Sequence, residues 1–270
     1  MNIIACIKQV PYPDTPASAY RINDAANAIV LPDDTPLVIS PFDENALEAG
    51  LQLKDKTAGK LTVITLATRS AEVVTRDLKQ AIAMGADEAI LLDDPAFSGG
   101  DSWSTSYSLA MAIRKIGEYD LILCGLQAAD WDAGQVALGI AEFLGIPAAT
   151  SCTAIEKGEG CVQVKCLIEN GYDIIELPLP SVVAIVSDAS LMPRIAPLPG
   201  IIKAKKRKIP VWAAADIMAD YSETGASGAK TAIKTLAIPK IESICEFIKA
   251  ENPDDVAAEL ILKLKSAKVL

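Results

Sequence analysis

A loop of small and acidic residues at 125–136, reading GLQAADWDAGQV, is the segment best suited to bind a phosphorylated ligand. It follows an apolar run at 119–124 and precedes a helical pattern at 135–144. In an open parallel sheet, ligands bind beyond the carboxyl ends of the strands, and the free N–H groups at a helix N-terminus attract phosphate. The loop therefore predicts a nucleotide or phosphate site. Asp132 and Gln135 fit a capping box equally well, and Asp132 would then simply cap the helix.

Two other short segments have the composition of anion-binding loops. Residues 40–44, SPFDE, lead into a helix, and the helix dipole alone explains acidic residues in a first turn. Residues 98–102, SGGDS, resemble the phosphate loop of ATP-pyrophosphatase-type enzymes, but they lie in a connection and fit a loop with a helix cap better. The absence of a P-loop motif and of a strand-linked G-x-G-x-x-G argues against a Walker-type NTPase and a standard dinucleotide fingerprint.

A segment rich in proline and lysine at 191–208, reading LMPRIAPLPGIIKAKKRK, has the character of a docking surface. Leu198 lies in an exposed-looking Leu-Pro-Gly loop, and a run of cations follows it. Apolar anchors supply affinity at interfaces, while charges at the rim steer the encounter. The segment therefore predicts protein docking, and an ordinary solvated charged face is the alternative.

The composition limits the chemistry that the chain can perform. It contains no histidine, which removes Ser-His triads and histidine-zinc sites. The six cysteines form no C-x-x-C pair, so we predict no metal site and expect the thiols to be buried in a reducing compartment. The net charge of -10 argues against a nucleic-acid partner, and no apolar run approaches the roughly 20 residues of a membrane-spanning helix. We therefore expect a cytoplasmic protein that is not integral to a membrane.

Alternating apolar runs and amphipathic patterns predict a doubly wound, mainly parallel α/β fold that positions these segments. The predicted strands lie at 3–7, 61–66, 89–92 and 119–124, and the predicted helices lie at 43–56, 70–84, 103–117 and 135–144. Gly85 is expected to end the second helix. Turn signals at 158–160 and 170–171 predict a small antiparallel hairpin, and residues 182–186 predict a strand that returns to the main sheet.

A change of composition near residue 206 divides the chain into two predicted parts. Residues 1–206 are expected to form the α/β domain, with 191–206 as its docking loop. Residues 207–270 are expected to form a C-terminal arm and a last helix, and this part is weak as an independent core. We therefore expect the arm to pack on another surface.

Six motifs occur in a characteristic order along the chain. They are CIKQVP at 6–11, PFDE at 41–44, AIAMGAD at 81–87, the loop at 125–136, LPLPSVV at 177–183 and LPGIIKAKK at 198–206. Each motif is ordinary by itself, whereas the ordered set covers most of the chain and resembles the beta subunit of electron transfer flavoproteins. The resemblance implies an adenine nucleotide alpha hydrolase-like fold and a heterodimeric electron carrier, completed by an alpha subunit and FAD.

The resemblance also implies an adenine-nucleotide site and two protein contacts. The nucleotide-binding residues would be Cys6, Ser40, Pro41, Phe42, Asp43, Ala67, Gly125, Gln127, Ala128, Ala129, Asp130, Trp131, Asp132, Ala133, Gly134, Gln135 and Val136. The site would hold AMP in ordinary members and the adenylate end of a second FAD in electron-bifurcating members. Leu198, with Lys203, Lys205 and Lys206 beside it, would dock acyl-CoA or other flavin dehydrogenases, and residues 207–270 would embrace the alpha subunit.

Departures from the family pattern leave the identity of the nucleotide open. Ser40 stands where asparagine is usual, and Ala133 replaces a common threonine. The two acidic positions Asp130 and Asp132 favour the anaerobic, often bifurcating branch, whereas the loss of the threonine hydroxyl argues against it. One flavin and two flavins are both kept as alternatives.

In such a carrier the redox chemistry belongs to the flavin, so no residue of this chain is expected to be a covalent or acid-base catalyst. An electron pair would pass from a dehydrogenase or NADH through FAD to an acceptor. The main alternative is a stand-alone adenine-nucleotide-binding module of the universal-stress or pyrophosphatase type, which would bind ATP as a homodimer without flavin. A purely structural scaffold is the third hypothesis. Co-purification of a flavin-containing partner would distinguish the electron carrier from the nucleotide-binding module and the scaffold.

Overall fold

A nine-stranded sheet forms the centre of the computed structural model, which describes residues 1–23, 25, 27–67, 70–238, 245–249 and 252–270. The strands in these ranges are β1 (Asn2–Cys6), β2 (Gln9–Pro11), β3 (Arg21–Asn23), β4 (Ala28–Val30), β5 (Leu37–Ile39), β6 (Lys60–Leu66), β7 (Glu88–Leu92), β8 (Leu121–Gly125), β9 (Ala148–Lys157), β10 (Cys161–Ile168), β11 (Gly171–Pro178), β12 (Ser181–Ile185) and β13 (Val211–Trp212). The α-helices are α1 (Pro41–Thr57), α2 (Ala71–Met84), α3 (Ser102–Ile116), α4 (Val136–Leu144), α5 (Leu198–Lys206), α6 (Gly225–Gly228) and α7 (Pro253–Ser266).

The order of the strands across the sheet is β11-β10-β9-β12-β8-β1-β6-β7-β13. The strands from β9 to β13 in this order run parallel, while β10 and β11 extend the sheet as an antiparallel hairpin. From β1 the chain adds β6 and β7 on one side and then crosses to β8 on the other side. The order therefore reverses between β1 and β8, which is where doubly wound sheets bind ligands. The predicted fold class is confirmed.

Helices cover both faces of the central strands. Along β1, Ile3 and Ala5 pack with residues of α1, α2 and α5, whereas Ile4 and Cys6 pack with residues of α3 and α4. Successive side chains on a strand point to opposite faces, so a continuous apolar run supplies both layers of core. This arrangement explains why the central strands are recognisable in the sequence as uninterrupted apolar segments.

The predicted elements of the α/β domain occur within two residues of their expected bounds. Gly85 ends α2 with a φ of 131°, and its N–H donates to the carbonyl oxygens of Ala81 and Ile82. The predicted hairpin is formed by β10 and β11, and the returning strand is β12, which lies between β8 and β9. The hairpin is larger than expected because β9 joins it to the main sheet, where it forms one edge.

The loop conformation expected for 191–206 is wrong in its second half, because residues from Leu198 onward form α5, while the docking role of this segment stays a prediction. Pro199 suits a first helical turn, where a backbone N–H has no helical partner. Gly200 then allows the helix to approach α2 closely, since a Cβ on Gly200 would overlap the carbonyl oxygen of Ala83. Ala204, one turn later, is buried in the same contact layer. Tertiary packing therefore makes a helix of a Leu-Pro-Gly sequence that is typical of a loop.

We expect Gly200→Ala to lower the free energy of unfolding by about 2 kcal/mol, because the added methyl group meets backbone that moves only if α5 is displaced. Urea denaturation followed by circular dichroism measures the effect. Ile202→Ala, which removes a half-exposed side chain from the same helix, should change the free energy by less than about 0.5 kcal/mol. Equal losses in the two variants would contradict the close contact of α5 with α2.

The chain continues in contact with the α/β domain after α5. Strand β13 pairs with β7, so the sheet extends beyond the boundary predicted at residue 206. Further on, the backbone N–H of Asp220 donates to the Tyr107 hydroxyl, and the N–H groups of Lys230 and Thr231 donate to Asp101. The division at 206 stays a prediction.

The last helix has a different character from the rest of the fold. Within the described part of the chain, helix α7 has no buried residue, and its Leu260, Ile261 and Leu262 are exposed. Among the described residues, no helix is long and apolar enough to cross a bilayer.

Candidate functional site

The residues predicted to bind a nucleotide meet where the strand order reverses. Cys6 ends β1 and Gly125 ends β8, on neighbouring strands of the sheet. Ser40 is the N-cap residue of α1, which begins at Pro41, and the first turn of α1 lies over Gly125 at the end of β8. A Cβ added to Gly125 would lie 2.7 Å from the Phe42 Cβ and would overlap the Asp43 carboxylate. Only glycine permits this approach of strand to helix.

Asp43 joins the ends of the two strands. Its Oδ2 accepts from the backbone N–H of Lys8 at 2.8 Å, and its Oδ1 accepts from the backbone N–H of Gly125 at 2.9 Å. The side chain is buried, and burial raises its pKa to about 7, although the two N–H donors and the Lys8 charge oppose the rise. Asp43 therefore acts on the site through backbone geometry, and it titrates close to neutral pH.

Lys8 makes a second connection across the site. Its Nζ lies 2.7 Å and 2.8 Å from the two carboxylate oxygens of Asp130, in the loop at 126–135 that we call the β8 loop. The Lys8 and Asp130 side chains are 30% and 20% exposed, so water screens this pair only in part. Sequence reasoning did not single out Lys8 as a site residue. Its position two residues after the end of β1, inside the CIKQVP motif, is the signal that could have found it.

The β8 loop has internal contacts that shape its backbone. The Ala129 N–H donates to the Ser40 hydroxyl at 3.3 Å, and the Gln127 side-chain amide donates to Asp132 at 3.0 Å. Asp132 and Gly134 have φ values of 49° and 65°, which turn the chain sharply before α4. The loop is therefore fixed to α1 at Ser40 and folded on itself around Asp132.

The alternative of a capping box at Asp132 and Gln135 is wrong. Helix α4 begins at Val136 with Gln135 as its N-cap residue, and no side chain among the described residues caps it. The reason is that Asp132 adopts a left-handed conformation and receives the Gln127 amide instead of a helical N–H. The N-terminal end of α4 therefore keeps N–H groups that a ligand can use.

Most of the remaining predicted site residues belong to the β8 loop itself and differ in their exposure. Trp131, Asp132, Ala133 and Gln135 are exposed, and Ala128, Gly134 and Val136 are half-buried. Ala67 follows β6 at the same edge of the sheet, and its N–H donates to the carbonyl oxygen of Leu92 on β7. The structure thus brings Cys6, Ser40, Phe42, Asp43, Gly125, Ala129 and Asp130 together and places Ala67 further along the same edge.

Two thiols lie at the same strand ends. Cys6 and Cys124 are buried, and contact with Cys6 together with burial raises the pKa of the Cys124 thiol. The Cys124 thiol is therefore a protonated, apolar side chain at neutral pH. The expectation that all six cysteines are buried is wrong for Cys161, which is half-buried, and for Cys245, which is exposed.

The predicted docking segment is attached to α1 by a part-buried ion pair. Arg194 donates through Nε and Nη2 to the Glu48 carboxylate at 2.9 Å and 3.0 Å, and through Nη1 to Asp55 at 2.9 Å. Glu48 is only 4% exposed. Leu198, at the start of α5, is 69% exposed. It forms with Ile201, Ile202, Lys203, Lys205 and Lys206 what we call the α5 surface.

Comparison with known proteins extends the pattern that the motifs indicated. A family profile described as the electron transfer flavoprotein domain matches residues 28–217. The electron transfer flavoprotein subunit beta of Thermoanaerobacterium thermosaccharolyticum is 36% identical over 271 residues, with 100% of both chains covered. The subunit of the same name in Megasphaera elsdenii is 37% identical over 278 residues, again with 100% of both chains covered.

A third relative comes from a named enzyme complex. The caffeyl-CoA reductase-Etf complex subunit CarD of Acetobacterium woodii is 34% identical over 270 residues, with 100% of both chains covered. These full-length matches agree with the motif order and with the doubly wound sheet. The chain therefore belongs to the electron transfer flavoprotein family, as one of its beta subunits.

Proposed function

We propose that this beta subunit binds the adenylate part of AMP, or of a second FAD, beyond the carboxyl ends of β1 and β8. The observation that carries the proposal is the uncapped N-terminal end of α4, preceded by a loop of small residues at the point where the strand order reverses. Free N–H groups and the positive end of the helix dipole favour a phosphate at this place. No acid-base step is assigned to the chain.

The groups present fit an adenylate. The N–H groups at the start of α4 and the backbone of the small-residue loop suit a phosphate, while the exposed Asp132 carboxylate suits ribose hydroxyls. The closely packed Gly125 and the buried Ser40 keep the first turn of α1 against the strand end. A bound flavin would supply the electron transfer chemistry, and this chain would bind it and orient it.

We further propose two protein partners, acting in the cytoplasm. The alpha subunit would cover α7, because this helix is apolar on its exposed surface and has no buried residue of its own among those described. Electron-donating flavin dehydrogenases, such as an acyl-CoA dehydrogenase, would dock on the α5 surface. Its exposed Leu198 and neighbouring lysines combine an apolar anchor with steering charges.

Flavin and nucleotide content of the chain co-expressed with its alpha subunit tests the function. Absorbance and mass spectrometry are expected to find either one FAD with AMP or two FAD per heterodimer. The first result identifies an ordinary carrier and the second a two-flavin carrier. A homodimer that holds ATP and no flavin would identify a stand-alone nucleotide-binding module, and a chain that forms no flavin complex would contradict the proposal.

Leu198→Ala should slow electron transfer from a dehydrogenase about tenfold, because truncating an interface anchor costs roughly 1–2 kcal/mol. Stopped-flow reduction of the heterodimer by the dehydrogenase measures the rate. Leu167→Ala, on β10, removes a similarly apolar and exposed side chain away from the α5 surface and should leave the rate unchanged. Unchanged nucleotide content in both variants shows that the cofactor site is intact. Equal rates for the two variants would contradict docking through Leu198.

A further inference from the structure

Among the described residues, the side chains of Lys8 and Ser40 contact the β8 loop, and the Asp43 side chain holds the residue that precedes it. Asp43 accepts the backbone N–H groups of Lys8 and Gly125, and the Lys8 Nζ forms an ion pair with Asp130. Gly125 immediately precedes the β8 loop and Asp130 lies at its centre. Lys8 thus takes part in both connections, one through its backbone and one through its side chain.

The geometry of Asp43 suits a positioning role better than contact with a ligand. Its side chain is buried, and each carboxylate oxygen already accepts one backbone N–H. Moving Asp43 would separate the end of β1 from the start of the β8 loop. Losing the Lys8 ammonium would remove the ion pair at the centre of that loop and leave the Ala129–Ser40 contact and both Asp43 hydrogen bonds in place.

We propose that Asp43 and Lys8 are positioning residues that hold the β8 loop in its nucleotide-binding position, and that the ionised Asp43 carboxylate is required for this. The inference rests on the proposed nucleotide site for its functional consequence. We call the Asp43 hydrogen bonds to the Lys8 and Gly125 N–H groups, together with the Lys8–Asp130 ion pair, the clamp. The clamp consists of this chain's own residues and can be observed without any nucleotide.

Protonation of Asp43 would weaken the clamp. An ionised carboxylate offers two acceptor oxygens to the two N–H donors, whereas the protonated form turns one oxygen into a hydroxyl, which is a poorer acceptor. The charged groups that face Asp43 are Lys8, which favours the ionised form, and Asp130, which opposes it. Cys124 on β8 is the neighbouring titratable group, and its thiol is held protonated beside Cys6.

The pH dependence of the clamp is opposite in sign to that of folding stability. Burial raises the pKa of Asp43 from 3.8 to about 7. The folded state therefore binds this proton more tightly than the unfolded state, and this group lowers stability as pH rises from 3.8 to about 7. Loop order and nucleotide affinity should instead increase as pH rises through 7. If Asp43 had a purely structural role, only folding stability would depend on pH in this way, and loop order and nucleotide affinity would not increase through pH 7.

Fluorescence of Trp131 tests the clamp without nucleotide. Trp131 lies in the β8 loop and is 50% exposed, and subtracting the signal of Trp131→Phe removes the contributions of Trp103 and Trp212. In the heterodimer, the Trp131 emission is expected to change with a midpoint near pH 7. Asp43→Asn should abolish this transition. Lys8→Gln should move its midpoint to higher pH, because the Lys8 charge favours the ionised carboxylate.

AMP affinity, measured by calorimetry one pH unit above and below 7, provides the functional readout. Dividing the wild-type affinity by the Asp43→Asn affinity at each pH cancels the titration of the AMP phosphate. This ratio should be several-fold, up to about tenfold, smaller at the lower pH than at the higher pH. Lys8→Gln should bind AMP at least about threefold more weakly at the higher pH. Asp120→Asn is the matched control, because Asp120 accepts the Asn2 N–H at the opposite end of β1.

The two readouts separate failure of the clamp from failure of the nucleotide site. A Trp131 signal that does not change near pH 7, or that changes equally in Asp43→Asn, would overturn the clamp whatever AMP does. A normal Trp131 transition in a heterodimer that binds neither AMP nor FAD would overturn the proposed function and leave the clamp intact. If Asp43→Asn does not fold, the midpoint shift in Lys8→Gln decides the question.

Discussion

Gly125→Ala is expected to destabilise the chain by about 3 kcal/mol and to abolish adenylate binding. The added Cβ would lie 2.7 Å and 2.8 Å from the Phe42 Cβ and carbonyl carbon and would overlap the Asp43 carboxylate. Those atoms belong to the first turn of a 17-residue helix, so they yield only if α1 moves. The same displacement separates Asp43 from the Gly125 and Lys8 N–H groups and frees the β8 loop. Urea denaturation and AMP calorimetry measure the two effects.

Gly160→Ala is the appropriate control for this substitution. Gly160 has a φ of 69°, and no neighbouring atom of the described residues lies within 4 Å of the place where its Cβ would stand. Alanine there therefore costs only the left-handed backbone conformation, about 1 kcal/mol. Gly160 lies in the turn between β9 and β10, away from the proposed nucleotide site. Equal destabilisation by the two variants, or full AMP binding by Gly125→Ala, would contradict the close contact between strand and helix.

Arg194→Met is expected to lower the free energy of unfolding by about 3 kcal/mol, because the buried Glu48 carboxylate loses the guanidinium charge and keeps only the backbone N–H of residue 194. The Glu48 side chain is only 5% exposed, and Arg194 supplies it with two side-chain hydrogen bonds. The segment before α5 should also detach from α1. Urea denaturation measures the first effect, and increased proteolysis between residues 188 and 197 reports the second.

A double-mutant cycle separates the unpaired charge from the lost packing. Glu48→Gln with Arg194→Met together should cost less than Arg194→Met alone, since no buried charge then remains at this contact. Lys60→Met is the exposed control: its pair with Glu88 is 49% and 45% exposed, and its loss should cost less than about 1 kcal/mol. A double variant that is less stable than Arg194→Met would contradict an unpaired charge as the cause.

Local patterns were sufficient to predict the central fold. Strands β1 and β8 are buried on both faces, so they appear in the sequence as short apolar runs. Helix α2 ends at Gly85, whose positive φ favours glycine. These signals depend on residues within one element. The position of the proposed nucleotide site followed from them, because parallel strands bring their carboxyl ends to one edge of the sheet.

Contacts between distant segments could not be predicted in the same way. The Lys8–Asp130 pair and the Asp43 hydrogen bonds depend on which strands become neighbours, which no local pattern specifies. Helix α5 was missed because its close packing on Ala83 outweighs a sequence typical of a loop. Strand β13 has two residues and is too short to give a periodic signal. Asp132 matched a capping box but faces Gln127, because the loop turns before the helix starts.

The sequence separation of the clamp contacts has a consequence for folding kinetics. The hydrogen bonds that attach the β8 loop and the end of β8 to earlier segments span 82, 89 and 122 residues. Contacts between residues so far apart in sequence carry a large entropic cost of loop closure. They therefore form only after the intervening strands have paired. A nucleotide bound here would stabilise the native state by mass action and would select chains whose whole central sheet is complete. A bound nucleotide would thus distinguish fully folded subunits from partly folded ones.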